Sequence, residues 1–149
     1  MARNVPRNDL RLFVTLGTIK PYRFDAAVDA VLATGLAGDT TTWQLGCTDR
    51  DDLPGTSFAT IPSRDFETLI KESDVVVTHS GVGSIMKILE CGKYPIVLPR
   101  RKARGEHVDD HQSQIANLVC NRGIANAIEV GSLTAEMLHD AAKLKIVGE

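Results

Sequence analysis

A chain of 149 residues, 43% of them hydrophobic and 24% charged, has the composition of a globular protein and is long enough to bury a sizeable core. The formal net charge of -2 provides no overall basic field, which argues against nucleic acid as a partner. The three cysteines lack paired spacing, and no stretch reaches the roughly 18 apolar residues of a membrane span. This composition argues against a disulfide framework and a transmembrane helix, and it favours a reducing cytoplasm.

Predicted strands and helices alternate in the first half of the chain. Residues 1–10 carry arginines without an apolar core, which indicates a flexible start and no signal peptide. The apolar, β-prone residues 12–16 end at Gly17, which predicts a buried strand followed by a turn. The elements predicted next are a helix with apolar residues at helical spacing from Phe24 to Leu32, strands at residues 41–45 and 57–61, and a short helix from Asp65.

The second half continues the alternation and contains the clearest strand, residues 75–78, which a small-residue turn at residues 79–84 follows directly. The remaining predicted elements are a helix around Ile85 and Ile88 closed by Gly92, a strand at 95–98, a polar segment at 99–110, a helix ending before Gly123, a strand at 124–130 and a helix at 134–144. This order predicts an α/β fold, a Rossmann-like parallel sheet with helices on both faces, as one domain over residues 1–149.

The turn at residues 79–84 is the strongest candidate site, because ligands of open parallel sheets bind beyond the carboxyl ends of the strands. Gly81 and Gly83 permit close approach of the backbone, and His79 and Ser84 offer hydrogen-bond donors. The helix that follows presents N–H groups and a positive dipole end to an anion. These features predict a diphosphate site, although a tight strand-to-helix turn with His79 at its rim explains the same residues without a ligand.

A dinucleotide-binding domain is the nearest alternative, because Gly-x-Gly between a strand and a helix begins its fingerprint. Three departures argue against it. Met86 occupies the third glycine position, the next strand ends at Pro99-Arg100-Arg101 instead of an acidic residue, and the turn lies in the middle of the chain.

Several motifs occur together in a fixed order along the chain. They are Val14-Thr15-Leu16-Gly17-Thr18, Val77-Thr78-His79-Ser80-Gly81-Val82-Gly83-Ser84, Gly92, Pro95-Ile96-Val97-Leu98-Pro99, Asp110-His111-Gln112 and Ala116. This set extends over nearly the whole chain and resembles the C-terminal domain of family 28 glycosyltransferases. It is most similar to the small donor-binding subunits of split N-acetylglucosaminyltransferases and to their bacterial exopolysaccharide counterparts. The resemblance implies a fold equivalent to the C-terminal half of a GT-B glycosyltransferase.

The resemblance also implies a role for each matching residue. Gly17 and Thr18 would face the cleft where donor and acceptor meet. His111 and Gln112 would bind the sugar hydroxyls, although a solvated helix N-terminus capped by Asp110 explains that pair without a ligand. The residues that would hold the diphosphate of the substrate are His79, Ser80, Gly81, Gly83 and Ser84.

Lys87 departs from the family pattern, which usually places a ribose-binding glutamate at this position. An ammonium accepts no hydrogen bonds, so ribose binding would be lost, would move to another residue such as Glu90, or would be replaced by a phosphate contact. Arg100 and Arg101 belong to a basic cluster that is either a solvated loop or a contact for an acceptor phosphate or an anionic membrane. The aspartate clusters lie in a turn and at a helix cap, so no metal site is predicted.

The implied reaction is the inverting transfer of a hexose such as N-acetylglucosamine from a UDP-sugar, without a cofactor, to a lipid-linked or other acceptor in polysaccharide biosynthesis. No residue is an obvious general base. We therefore expect a natural short subunit in the cytoplasm, whose base and acceptor site belong to a second, membrane-associated subunit. The alternatives are a non-catalytic nucleotide-binding module, which Lys87 favours, and a nicotinamide-binding Rossmann domain.

Overall fold

The computed structural model describes residues 10–17, 22–100, 111–123 and 125–144, and within these ranges six parallel strands form one sheet. The strands are β1 (Leu12–Thr15), β2 (Thr42–Gln44), β3 (Thr56–Phe58), β4 (Val75–His79), β5 (Ile96–Leu98) and β6 (Asn126–Ala127). The helices are α1 (Asp25–Ala33), α2 (Ser63–Glu72), α3 (Val82–Glu90), α4 (His111–Asn121) and α5 (Ala135–Ala142), with a short 3-10 helix at Val130–Ser132.

The strand order is β3-β2-β1-β4-β5-β6, which is the order of doubly wound nucleotide-binding folds. The chain first builds outward from β1 through β2 to β3, and it then returns to place β4 on the other side of β1. The direction of winding therefore reverses between β1 and β4. In such sheets a crevice opens at this point, beyond the carboxyl ends of the two strands.

Alternate residues of the central strands pack into separate cores on the two faces of the sheet. Leu12 and Val14 face α1 and α5, whereas Phe13 and Val76 face α2 and α3. The Phe13 ring meets the Phe66 ring of α2 edge to face at a centroid distance of 5.4 Å. Both faces are thus covered by helices, as the sequence predicted, because a parallel sheet must bury both of its apolar surfaces.

The first turn of α3 begins earlier than the sequence indicated. Residues 79–84 were expected to form one turn, but His79 ends β4 and α3 already starts at Val82. Gly81 has extended backbone, with φ -93° and ψ 133°, and its carbonyl oxygen accepts the first helical hydrogen bond from the Ile85 N–H at 3.0 Å. Gly83 and Ser84 therefore belong to the N-terminal turn of the helix.

Most predicted strands were too long, and two of them show the physical reason. The strand expected at residues 57–61 is Thr56–Phe58, because its neighbour β2 ends at Gln44, which pairs with Phe58. The strand expected at residues 124–130 is only Asn126–Ala127, and Val130 lies in the 3-10 helix. Its partner β5 ends at Leu98, and the following residue is a proline, which has no N–H to continue the ladder.

The structure describes one residue of the start that was expected to be flexible, Leu10. Leu10 is only 7% exposed and packs in the core with Leu12 and Val14. Residues 1–9 lie outside the described part of the chain.

Candidate functional site

The carboxyl ends of β1 and β4 lie side by side at the reversal point of the sheet. Thr15 of β1 pairs with Thr78 of β4, so Gly17 and His79 follow at the same edge. Gly17 has a positive φ of 76°, and the His79 side chain at the end of β4 is buried, with 9% exposure. The structure thus brings two predicted site residues, 62 positions apart, to the crevice in which ligands of such sheets bind.

The His79 imidazole lies between two glycines. A Cβ atom on Gly17 would come within 2.5 Å of His79 Nε2, and one on Gly81 would come within 2.3 Å of His79 Cε1. Side-chain carbons essentially never approach that closely, so both positions must lack a side chain for the ring to occupy this place. The sequence indicated glycines that make room for a ligand, but it missed that Gly17 and Gly81 first make room for a side chain.

The N-terminus of α3 stands beside this imidazole. Because the first helical bond is made by the Ile85 N–H, the N–H groups of Val82, Gly83 and Ser84 have no partner within the helix. Gly81 occupies the cap position and has no side chain with which to bind them. Ser84 Oγ lies 3.4 Å from His79 Nε2. Donors and the positive end of the helix dipole therefore converge on the crevice, which is an arrangement suited to an anion.

The structure describes only some of the other residues that were predicted to contact a ligand. Ser80 is fully buried directly after the end of β4, and its contact with a ligand stays a prediction. His111 and Gln112 are the first two residues of α4, and their side chains lie outside the description. Thr18 and Arg101 also fall outside the described residues. Direct ligand contacts by these four residues stay predictions.

Lys87 lies on the surface between α2 and α3, where two carboxylates accompany it. Its Nζ atom is 3.7 Å from Glu67 Oε2 and 3.8 Å from Glu90 Oε2, and one third of the side chain is exposed. The Lys71 ammonium, by its hydrogen bond, and Lys87, by its charge, lower the pKa of Glu67. Glu90 thus lies on the same side of α3 as Lys87. These partly exposed ion pairs are weak, and a phosphate contact by Lys87 stays a prediction.

Arg100 does not belong to a solvated loop, as one interpretation of the basic cluster required. The side chain is 1% exposed. Its Nη2 donates to the Leu16 carbonyl oxygen, and its Nη1 donates to those of Tyr22 at 3.1 Å and Arg23 at 3.4 Å. The guanidinium also lies over the Phe24 ring, 4.9 Å from its centroid. A cation two residues after a buried apolar strand was the available signal. It was missed because Arg100 was grouped with the charged residues that follow it.

The segment that leads into α1 is also tied to the loop after β2. The Phe24 N–H donates to Thr48 Oγ1 at 2.8 Å, and Cys47 Sγ donates to the Tyr22 carbonyl oxygen at 3.2 Å. The Arg23 side chain donates to the Asp49 carbonyl oxygen at 2.9 Å. These bonds anchor the end of the β1–α1 loop independently of Arg100.

Ion pairs also connect the loop after β2 to the surface of α1. Arg50 contacts the carboxylates of Asp25, Asp29 and Asp52 at 3.3, 3.0 and 2.8 Å. Its hydrogen bond lowers the pKa of Asp52 to about 2, and the hydrogen bond from Arg23 lowers the pKa of Asp25. Both carboxylates are therefore ionised at neutral pH, so the ion pairs persist under ordinary conditions.

An apolar groove of about 290 Å³ lies elsewhere, between β3 and α2. It is lined by Phe58, Ile61 and Leu69, with Asp65 as an acidic group and no basic side chain among its described lining residues. This chemistry does not suit a diphosphate, and the crevice at His79 suits it better. Across the described residues, no group of His, Cys, Asp or Glu side chains could hold a metal ion. No described helix combines the length and the apolar character that a membrane crossing needs.

The amino-acid sequence matches a family model and curated proteins. The family model described as "Glycosyltransferase family 28 C-terminal domain" matches residues 31–145. A UDP-N-acetylglucosamine–N-acetylmuramyl-(pentapeptide) pyrophosphoryl-undecaprenol N-acetylglucosamine transferase of Trichormus variabilis is 29% identical over 93 residues, 62% of this chain and 25% of the relative. The UDP-N-acetylglucosamine transferase subunit ALG13 of Cryptococcus neoformans is 36% identical over 73 residues, 48% of this chain and 34% of the relative. The matches thus span about a quarter to a third of these relatives.

Solved glycosyltransferase structures share the fold. The calicheamicin glycosyltransferase CalG4 superposes with a TM-score of 0.63 at 17% identity, covering 93% of this chain and 35% of that one. MurG of Acinetobacter baumannii superposes with a TM-score of 0.54 at 16% identity, covering 89% of this chain and 40% of that one. The described sheet therefore has the architecture of one part of these longer chains, as the predicted Rossmann-like half of a GT-B enzyme requires.

Proposed function

Because the chain belongs to the family of glycosyltransferase family 28 C-terminal domains, we propose that it binds a UDP-sugar and forms the donor-binding part of an inverting glycosyltransferase. The observation that carries this proposal is the buried His79 ring, held between Gly17 and Gly81 beside the first turn of α3. The names of both curated relatives above include UDP-N-acetylglucosamine, which supports N-acetylglucosamine or another hexose as the transferred sugar.

The diphosphate of the donor is assigned to the crevice at the N-terminus of α3. In the transfer, an acceptor oxygen attacks the anomeric carbon, and the bond from that carbon to the β-phosphate oxygen breaks. The electron pair of this bond leaves with UDP, so negative charge grows on the diphosphate. The N–H groups of Val82, Gly83 and Ser84 and the helix dipole would stabilise that charge without having to reorganise, which is the term that usually contributes most to enzymatic rate.

A thermal-shift panel tests the donor assignment. UDP and UDP-N-acetylglucosamine at 100 times Kd are expected to raise the Tm by about 5–10 °C, because a ligand that binds only the folded state stabilises it by mass action. UMP, which lacks the second phosphate, is expected to give a smaller shift at the same concentration, and NADH none. A shift with NADH and none with UDP would instead identify a nicotinamide-binding domain.

The acceptor site and the general base are assigned to a second, membrane-associated subunit that binds a lipid-linked acceptor at the cytoplasmic face. The name of the Cryptococcus relative, a transferase subunit, supports this division. Such a subunit, co-expressed with a tagged form of this chain, is expected to co-purify with it and to raise sugar transfer from UDP-N-acetylglucosamine, as radiolabel incorporated into lipid measures. Equal transfer without the partner would contradict the division. Donor binding with no transfer in the complex would favour a non-catalytic module.

A further inference from the structure

We propose that Arg100 is a positioning residue of the donor site, which fixes Gly17 against the His79 ring by binding backbone carbonyls on both sides of the β1–α1 loop. The identity of the ligand rests on the proposed function. The positioning itself rests on contacts within this chain.

One guanidinium joins the two ends of this loop. Arg100 follows β5 and donates to the Leu16 carbonyl before the loop and to the Tyr22 and Arg23 carbonyls after it. A buried cation needs hydrogen-bond acceptors, and here its two Nη groups donate to three carbonyl oxygens. The planar fork of arginine can span separate acceptors in a fixed geometry, whereas a lysine ammonium concentrates its donors at one point.

The two ends of the loop do not depend on Arg100 to the same degree. At the far end, Tyr22 and Phe24 are also bound by Cys47 and Thr48 of the loop after β2. At the near end, the Leu16 N–H donates to the Gln44 carbonyl oxygen at 2.9 Å, and Arg100 binds the carbonyl oxygen of Leu16. Loss of Arg100 would therefore act mainly on the peptide group that joins Leu16 to Gly17.

The peptide group between Leu16 and Gly17 borders the His79 ring on one side. Gly17 has a positive φ, and its Cα borders the imidazole so closely that a Cβ would overlap Nε2. A glycine whose preceding carbonyl lost its donor would gain backbone freedom. The ring would then lose a fixed neighbour on one side, and its orientation towards Ser84 and the start of α3 would become variable.

The test compares Arg100→Met, Arg100→Lys and a stability control, Ile70→Val, which trims the buried core between α2 and the sheet far from the loop. The first readout is the NMR signal of the imidazole C–H groups of His79 in the ligand-free chain, assigned with His79→Gln. The second is UDP affinity by calorimetry. Arg100→Met is expected to move the His79 signals and to weaken UDP binding about ten-fold or more, which corresponds to about 1.4 kcal/mol of binding free energy. Arg100→Lys should recover part of both.

Ile70→Val is expected to lower the Tm while leaving the His79 signals and the UDP affinity unchanged. Unmoved His79 signals in Arg100→Met, or in Arg100→Lys if the methionine variant does not fold, would overturn the positioning role. If UDP fails to bind the wild-type chain, the proposed function fails, but the ligand-free spectra still decide whether Arg100 positions His79.

Discussion

Gly81→Ala is expected to lower the affinity for UDP about ten-fold or more and the free energy of unfolding by about 1–3 kcal/mol, the usual cost of overpacking a filled site. The reason is the 2.3 Å separation between the added Cβ and His79 Cε1, which forces the imidazole out of its place. Calorimetry with UDP and urea denaturation measure the two effects.

Gly83→Ala is the matched control in the same turn. A Cβ on Gly83 would meet none of the described atoms within 4 Å, and the residue lies inside α3. The free energy of unfolding should therefore stay equal or rise by about 0.4–1 kcal/mol, because alanine restricts the unfolded chain more than glycine does. UDP affinity should fall less than in Gly81→Ala. Equal losses of affinity in the two variants would show that the place of His79 does not govern binding.

Among these glycine variants, Gly55→Ala is expected to lower the free energy of unfolding most, by about 2–4 kcal/mol. The reason is a left-handed backbone combined with a steric overlap. Gly55 has φ 80°, and a Cβ there would come within 2.0 Å of the Thr41 carbonyl oxygen. That oxygen also accepts the Thr56 N–H at 3.0 Å, the bond with which β3 begins beside β2. Moving the backbone to relieve the overlap would break this bond.

Gly35→Ala separates the two causes. Gly35 has nearly the same φ, 75°, but a Cβ there would meet no described atom within 4 Å. Its cost should be only about 1–2 kcal/mol, the penalty for a side chain in the left-handed region. Urea denaturation of both variants gives the difference in the free energy of unfolding. Similar losses at the two glycines would mean that the overlap with Thr41 is relieved without cost.

The order of strands and helices could be predicted from local patterns, but strand lengths could not. Alternation of apolar runs with helical spacing is a property of neighbouring residues, and it indicated the parallel sheet before any contact was known. The extent of β3 and β6 depends on where their partners end. β2 ends at Gln44, the partner of Phe58, and Pro99 follows the end of β5, so both outer strands stop early.

The candidate site was predicted in part. The rule that ligands bind at the carboxyl ends of parallel strands directed attention to Gly17 and to the turn after β4, and the structure brings Gly17 and His79 together there. The same rule does not say which way a side chain points. Lys87 was a candidate phosphate contact, but it pairs with Glu67 of another helix, and the sequence contains no local signal for that pairing.

The amino-acid sequence by itself determined the class of fold, the edge of the sheet that carries the site and the glycine-rich start of α3, because each follows from spacing within a few residues. Only the tertiary structure decided that Gly17 and Gly81 enclose the His79 ring and that Arg100 points inwards. The physical reason is that a buried cation or ring takes its place from distant partners. Arg100 and the Leu16 carbonyl that it binds are 84 residues apart.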